Sequence, residues 1–74
     1  MSIESVYDAE VDALYIRLKE QISPGEAVRQ VSVKGTPGDS EVILDYDVNG
    51  ILLGIEILGA SGGVPLSILG GKEK

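Results

Sequence analysis

Cysteine, histidine, tryptophan and phenylalanine are all missing from this chain of 74 residues, and three tyrosines are its only aromatic residues. Each absence excludes a chemistry. Without Cys there is no disulfide framework, thiolate metal site, iron–sulfur cluster or cysteine nucleophile, and without His the commonest general base and metal ligand are gone. Serine hydrolysis goes with them, because Ser61 and Ser67 have no imidazole to activate them. Positive charge is also scarce. Six Lys and Arg stand against twelve Asp and Glu, a formal net charge of -6, which opposes the counterion release that drives binding to phosphate backbones. Nucleic acid is therefore not an expected partner. No apolar stretch approaches the ~20 residues of a membrane span, and Met1 to Asp8 shows no basic and then apolar leader. The expectation is a soluble, cytoplasmic protein with no membrane partner.

What is present reads as one domain over residues 1–74, with an ordered core from about 3 to 61 and a flexible end from 70 to 74. A chain this short buries only about 60% of the surface its unfolded form exposes, so one thin core carries the fold and deep pockets are not expected. Turn signals at Pro24-Gly25, Thr36-Pro37-Gly38-Asp39 and Asn49-Gly50 divide it into short alternating or β-branched segments. The predicted strands are Ile3 to Tyr7, Ala13 to Lys19, Ala27 to Lys34, Glu41 to Val48 and Ile51 to Leu58. The fold class predicted is α+β: a small antiparallel β-meander of four to five strands with a short C-terminal helix or tail. Pro65 suits the first turn of such a helix and Gly70 its end. A Gly-rich arm docking its apolar tip on another subunit is the alternative.

The sharpest expectation concerns the last hairpin. If Asn49 and Gly50 are the two loop residues of a type I′ turn, Val48 faces Ile51, Tyr46 faces Leu53, Leu44 faces Ile55 and Val42 faces Ile57. All eight then share one apolar face, with Asp45, Asp47 and Glu56 on the other, and a slip of one position would bury those acids. Leu14, Ile16 and Leu18 form a second inward face, with Tyr15, Arg17 and Lys19 outward.

Several groups could carry chemistry. Asp45, Asp47 and Glu56 are candidates for a hard cation such as Mg²⁺ or Ca²⁺, or for acid–base work. The competing reading is a solvated polar face neutralised by Arg17, Arg29 and Lys19, and it is favoured because no ligand spacing matches an established loop. Asp8, Glu10 and Asp12 superficially resemble the start of an EF-hand, but the required Gly and closing Glu are absent, so Asp8 and Asp12 read as turn and cap residues that fasten the first connection. Tyr46 belongs to the core face; Tyr15 could cover the sheet, serve a binding surface or pack under the tail. The Gly-rich tail lacks the Lys-Ser/Thr end of a phosphate loop. No cofactor is expected.

Two separated stretches then carry a resemblance: Tyr7-Asp8-Ala9-Glu10-Val11-Asp12-Ala13-Leu14-Tyr15-Ile16, and Asp45-Tyr46-Asp47-Val48-Asn49-Gly50 followed by Gly54-Ile55-Glu56-Ile57-Leu58. Across roughly residues 3 to 61 the chain resembles the YuzE-like family, catalogued as domain of unknown function 2283. The resemblance implies a small bacterial or archaeal α+β domain, a β-meander followed by a C-terminal helix, with no established activity. Some members have been proposed as antitoxins of a small toxin encoded beside them. The chain departs from the family pattern in its Gly59-to-Gly63 and Gly70-Gly71 segments and in its long Thr36-to-Ser40 connection. Together these readings predict a non-enzymatic protein-interaction module, antitoxin-like by resemblance, that forms a homodimer and presents an acidic surface to a basic protein partner. The alternative is a divalent-cation-binding protein or small enzyme with its site at a subunit interface.

Overall fold

The computed structural model describes residues 3–70. The strands are β1 (Glu4–Asp8), β2 (Ala13–Arg17), β3 (Arg29–Val33), β4 (Glu41–Tyr46) and β5 (Leu52–Leu58), followed by two 3₁₀ turns, η1 (Ala60–Gly62) and η2 (Leu66–Leu69). They make one antiparallel sheet in the order β1-β2-β5-β4-β3. Thus a β1–β2 hairpin and a β3–β4–β5 meander are joined edge to edge by pairing of β2 with β5. Residues 18–28 link the end of β2 to the start of β3 at the far edge. Three strand spacings of about 4.8 Å separate those points, a span that eleven residues cross easily.

No α-helix occurs among the described residues, so the structure is a β-sheet with 3₁₀ turns rather than the α+β domain expected. The cause is local. Pro65 and Gly70 bracket only four residues, neither 3₁₀ turn has a side-chain cap, and a single α-helical turn does not repay its nucleation cost. The Gly-rich segment is not a free arm either. Gly63 lies so close to Ser40 that a Cβ there would be 1.9 Å from its hydroxyl oxygen, and the Ser40 hydroxyl donates to the Gly59 carbonyl at 3.0 Å. The flexibility expected of residues 71–74 lies outside the described residues.

The register confirms half of the final hairpin and corrects the rest. Val42 pairs with Ile57 and Leu44 with Ile55, as the alternation predicts, whereas Tyr46 pairs with Leu52 rather than Leu53. Val48 and Ile51 are not paired core residues; they are 81% and 58% exposed. The physical reason is Asp47, whose Oδ1 accepts the backbone N–H groups of Asn49 and Ile51, both at 2.9 Å. That side-chain bonding competes with the type I′ geometry. The turn closes instead through the Gly50 N–H to the Asp47 carbonyl, with Gly50 at φ 80°, the three-residue loop with a left-handed third position. The additional loop residue is compensated by a bulge that leaves Leu53 without a partner, after which the expected register resumes.

Cross-strand alignment sorts the side chains by face. Tyr7, Leu14, Ile57, Val42 and Val33 form one row, and Ser5, Ile16, Ile55, Leu44 and Val31 the next. Neither row carries a charge, and together they make the apolar face. The 3₁₀ turns cover it unevenly. Ala60 in η1 is buried, as is Leu14 beneath this end of the sheet, and Leu53 completes the buried apolar set. The η2 turn approaches β1, lining a shallow groove with Ser5 and Tyr7. Over β3 there is no such cover: every residue of that strand is exposed.

Candidate functional site

On the opposite face, Gly54 sits between Arg17 and Asp45 in one row, and Tyr15 and Glu56 are paired in the next. Because Gly54 has no side chain, the Tyr15 ring lies across β5; a Cβ on Gly54 would fall 2.2 Å from the phenol oxygen. The ring thereby covers a bare strand position, a recognised remedy for glycine in a sheet. Its hydroxyl reaches over to β4 and donates to Asp45 Oδ2 at 3.0 Å. From the other side Gln30, which faces Asp45 on β3, donates through Nε2 to Oδ1 at 2.9 Å. Three strands, β2, β4 and β3, are thus tied across β5 by one chain of side-chain bonds, and Asp45 at its centre is only 8% exposed.

This arrangement corrects the acidic surface expected from Asp45, Asp47 and Glu56. Asp45 does lie on the face opposite Leu44, but it is buried and already holds two donors. Asp47 is taken up by its own turn, and Glu56 is half-buried beside Tyr15. Among the described residues no group of three or more acidic side chains is placed to hold a metal ion. Acid–base work by the Tyr15–Asp45 pair is disfavoured too. Burial first, then the bond to Asp45 and its charge, push the Tyr15 hydroxyl up to about 12, so the phenol keeps its proton at neutral pH. Of the expected neutralisers, Arg17 pairs with Glu4 and Lys19 with Glu26.

A second cluster centres on Asp12, at the turn between β1 and β2, where the backbone takes a left-handed conformation (φ 54°). The Tyr7 hydroxyl donates to its Oδ1 at 2.6 Å. The Ser61 N–H donates to the same oxygen at 2.9 Å and the Ser61 hydroxyl to Oδ2 at 2.8 Å. The Asp12 carbonyl also accepts the N–H groups of Gly59 and Ala60. These bonds hold the Asp12 carboxyl below the usual carboxylate range, the Tyr7 bond contributing most, and the same bond raises the Tyr7 hydroxyl. Asp8 has the more local duty, its Oδ1 accepting the Glu10 N–H at 3.0 Å. So Asp8 bends the first connection, while Asp12 fastens the chain after β5 onto it.

The residues of the two quoted stretches therefore separate into three groups. Tyr7, Asp8 and Asp12 serve the first turn and the tail. Tyr15, Asp45, Gly54 and Glu56 lie together on the polar face. Tyr46, Asp47, Asn49 and Gly50 belong to the final hairpin. Gln30 was not singled out from the sequence, and Ser61 was weighed only as a nucleophile. Gln30 could have been found from the mixed polar character of its strand once the β3–β4 register was known, but no local signal marks Ser61, which lies 49 residues from its partner.

The remaining surface with a chemical character is the apolar one. Val31 and Val33 are 40% and 44% exposed at the sheet edge, and Leu66 on η2 is 75% exposed. Beside β3, Arg29, Val31, Tyr46, Asp47, Val48 and Gly50 line a shallow depression of about 340 Å³. Among the described residues no helix is long and apolar enough to cross a membrane.

The profile of the family described as "Protein of unknown function (DUF2283)" matches residues 5–61, and the chain belongs to that family. No curated protein and no solved structure matches the chain significantly.

Proposed function

Since membership of the family brings no activity with it, we propose from the surfaces alone that the protein is a non-enzymatic interaction module whose contact surface is the uncovered part of its apolar face. The observation that carries this reading is the exposure of Val31 and Val33 on rows that hold no charged residue. Stable domains are built from two packed layers, and here the second layer ends before β3. The rest of the surface is acidic, which suits a basic protein partner. Covering a basic toxin, as the family resemblance suggests, is one instance. The alternative, a cation site or small enzyme on the carboxylates, is not carried forward, because Asp45, Asp47 and Glu56 are each committed elsewhere or apart.

A photo-crosslinking residue in place of Val31, compared with one in place of Val6 on the other face, tests the reading in the source cells. Adducts with protein are expected from position 31 and few from position 6, which is 58% exposed. Equal yields from the two positions would overturn it.

A further inference from the structure

The apolar face is asymmetric in relief. At one side η2 stands beside β1, with Leu66 75% exposed and Ile68, which lines the groove against β1, 39% exposed. At the other, β3 presents Val31 and Val33 uncovered, beside the half-buried Val42 and Leu44 of β4. A ridge and a hollow of similar chemistry thus lie side by side on one surface. We propose that the occupant of this face is a second copy of the chain, packed sheet to sheet about a twofold axis, with the η2 ridge of each copy seated over β4 and β3 of the other. The proposal rests on the reading of this face as a contact surface and gives it to a second copy, which leaves the acidic remainder of the surface for a basic partner.

Two arguments favour a second copy over an unrelated protein. A twofold contact requires one patch to be complementary to itself, and a ridge beside a hollow meets that requirement in a single operation. Charge points the same way. Two chains of net charge -6 repel wherever their acids meet, but the two central rows of the face, Tyr7 to Val33 and Ser5 to Val31, contain no acid. The acids of the sheet lie on the opposite face or at strand ends, so facing sheets about 10 Å apart would turn them outward.

Area decides how much of the face must take part. Strands β3 and β4 together measure about 10 Å across and about 17 Å along, too little for a stable contact, since a standard interface buries about 800 Å² per partner. The broad side of the molecule, with extents of 37 and 29 Å, covers about 840 Å² as an ellipse, which reaches that size. A stable dimer therefore has to include the η2 ridge as well as the strands. This requirement is specific to the arrangement proposed: Leu66 becomes an interface residue although it touches little of its own chain.

Sedimentation equilibrium of the full chain, from about micromolar to about millimolar concentration, is expected to show a dimer in reversible exchange with the 7.8 kDa monomer. Leu66→Lys should raise the dissociation constant at least tenfold while circular dichroism, and the urea midpoint at a concentration where both proteins are monomeric, stay near wild type, and Val6→Lys should leave the dissociation constant unchanged. A monomer at every concentration, or a dimer indifferent to Leu66→Lys, would overturn the proposal. The crosslinking residue at position 31 separates its failure from that of the broader reading. Adducts of twice the chain mass from purified protein support the second copy. Adducts only with a different protein would defeat the second copy and leave the interaction module standing, and no adducts at all would defeat both.

Discussion

Tyr7 with Asp12 and Tyr15 with Asp45 are one donor–acceptor chemistry set in two regions of the molecule. The first pair sits at the rim, between the β1–β2 turn and the chain leaving β5, with an oxygen–oxygen distance of 2.6 Å. The second spans the middle of the polar face at 3.0 Å, over Gly54. At the rim the hydrogen bond itself dominates: it is the leading cause both of the lowered Asp12 carboxyl and of the raised Tyr7 hydroxyl. In the middle, burial dominates and pushes Tyr15 up to about 12. The rim pair anchors one segment to another, and its loss should be local. The central pair satisfies a buried carboxylate, and its loss should be felt by the whole sheet.

The largest effect is expected from Gly54→Ala. The new methyl group would stand 2.2 Å from the Tyr15 oxygen and 2.6 Å from Cζ, so the ring must swing away, taking its hydrogen bond with it and uncovering Asp45. Overpacking together with an unsatisfied buried acceptor predicts a loss of about 2 to 3 kcal/mol in urea denaturation. A midpoint within experimental error of wild type would mean that the ring does not lie over β5. Tyr15→Phe keeps the cover and removes only the donor, so it should cost less, about 1 to 2 kcal/mol.

Alkaline titration separates the two tyrosine environments further. A hydroxyl whose folded pKa is raised stabilises the fold while it is protonated. The Tyr15 contribution is therefore complete below the ordinary tyrosine value of about 10 and is lost as pH rises through about 12. Phenolate absorbance should show a late step in the wild type that is diminished in Tyr15→Phe. Tyr7 is raised as well, so the amplitude decides: a late step of undiminished size in the variant would mean that the burial of Tyr15 has been misassigned.

These contrasts also show what could be read from the chain in advance. Counting from the Asn49-Gly50 turn paired Val42 with Ile57 and Leu44 with Ile55, and period-two alternation supported it, because a slip of one position would turn Asp45 and Glu56 to the apolar side. It was not enough for Val48, whose exposure depends on the Asp47 carboxylate capturing two backbone N–H groups. Nor was the burial of Asp45 legible. It needs Tyr15, Gly54 and Gln30 as spatial neighbours, hence the pairing of β2 with β5 and of β3 with β4, and strand order leaves no local mark. The β-character and the turns were readable because propensity and periodicity are short-range. The C-terminal helix was misread because Pro65 and Gly70 gave plausible ends to a segment too short to sustain one.

The rim pair should respond on a smaller and more local scale. Asp12→Ala removes the acceptor for Tyr7 and Ser61 but leaves the sheet pairing intact. Amide exchange at Ser61 should accelerate several-fold, while the amides of β4 and β5 keep their wild-type rates. Uniform acceleration across the sheet would instead make the rim pair as global as the central one and dissolve the contrast.

Acid should reproduce that effect without a mutation, and more weakly. Because the folded Asp12 carboxyl is held below its ordinary value, its contribution is fully present above about pH 4, the ordinary range for an aspartate, and fades as pH falls through the depressed value. Protonation takes one oxygen out of acceptor duty but leaves the Gly59 and Ala60 bonds to the Asp12 carbonyl in place, so the segment should loosen only in part. In an NMR titration, the Ser61 amide resonance should move below pH 4 with a midpoint lower than that of a free aspartate. A midpoint at or above the ordinary value would show that Asp12 gains nothing from Tyr7 and Ser61 in the folded state, and that the tail is held by its backbone bonds and packing alone.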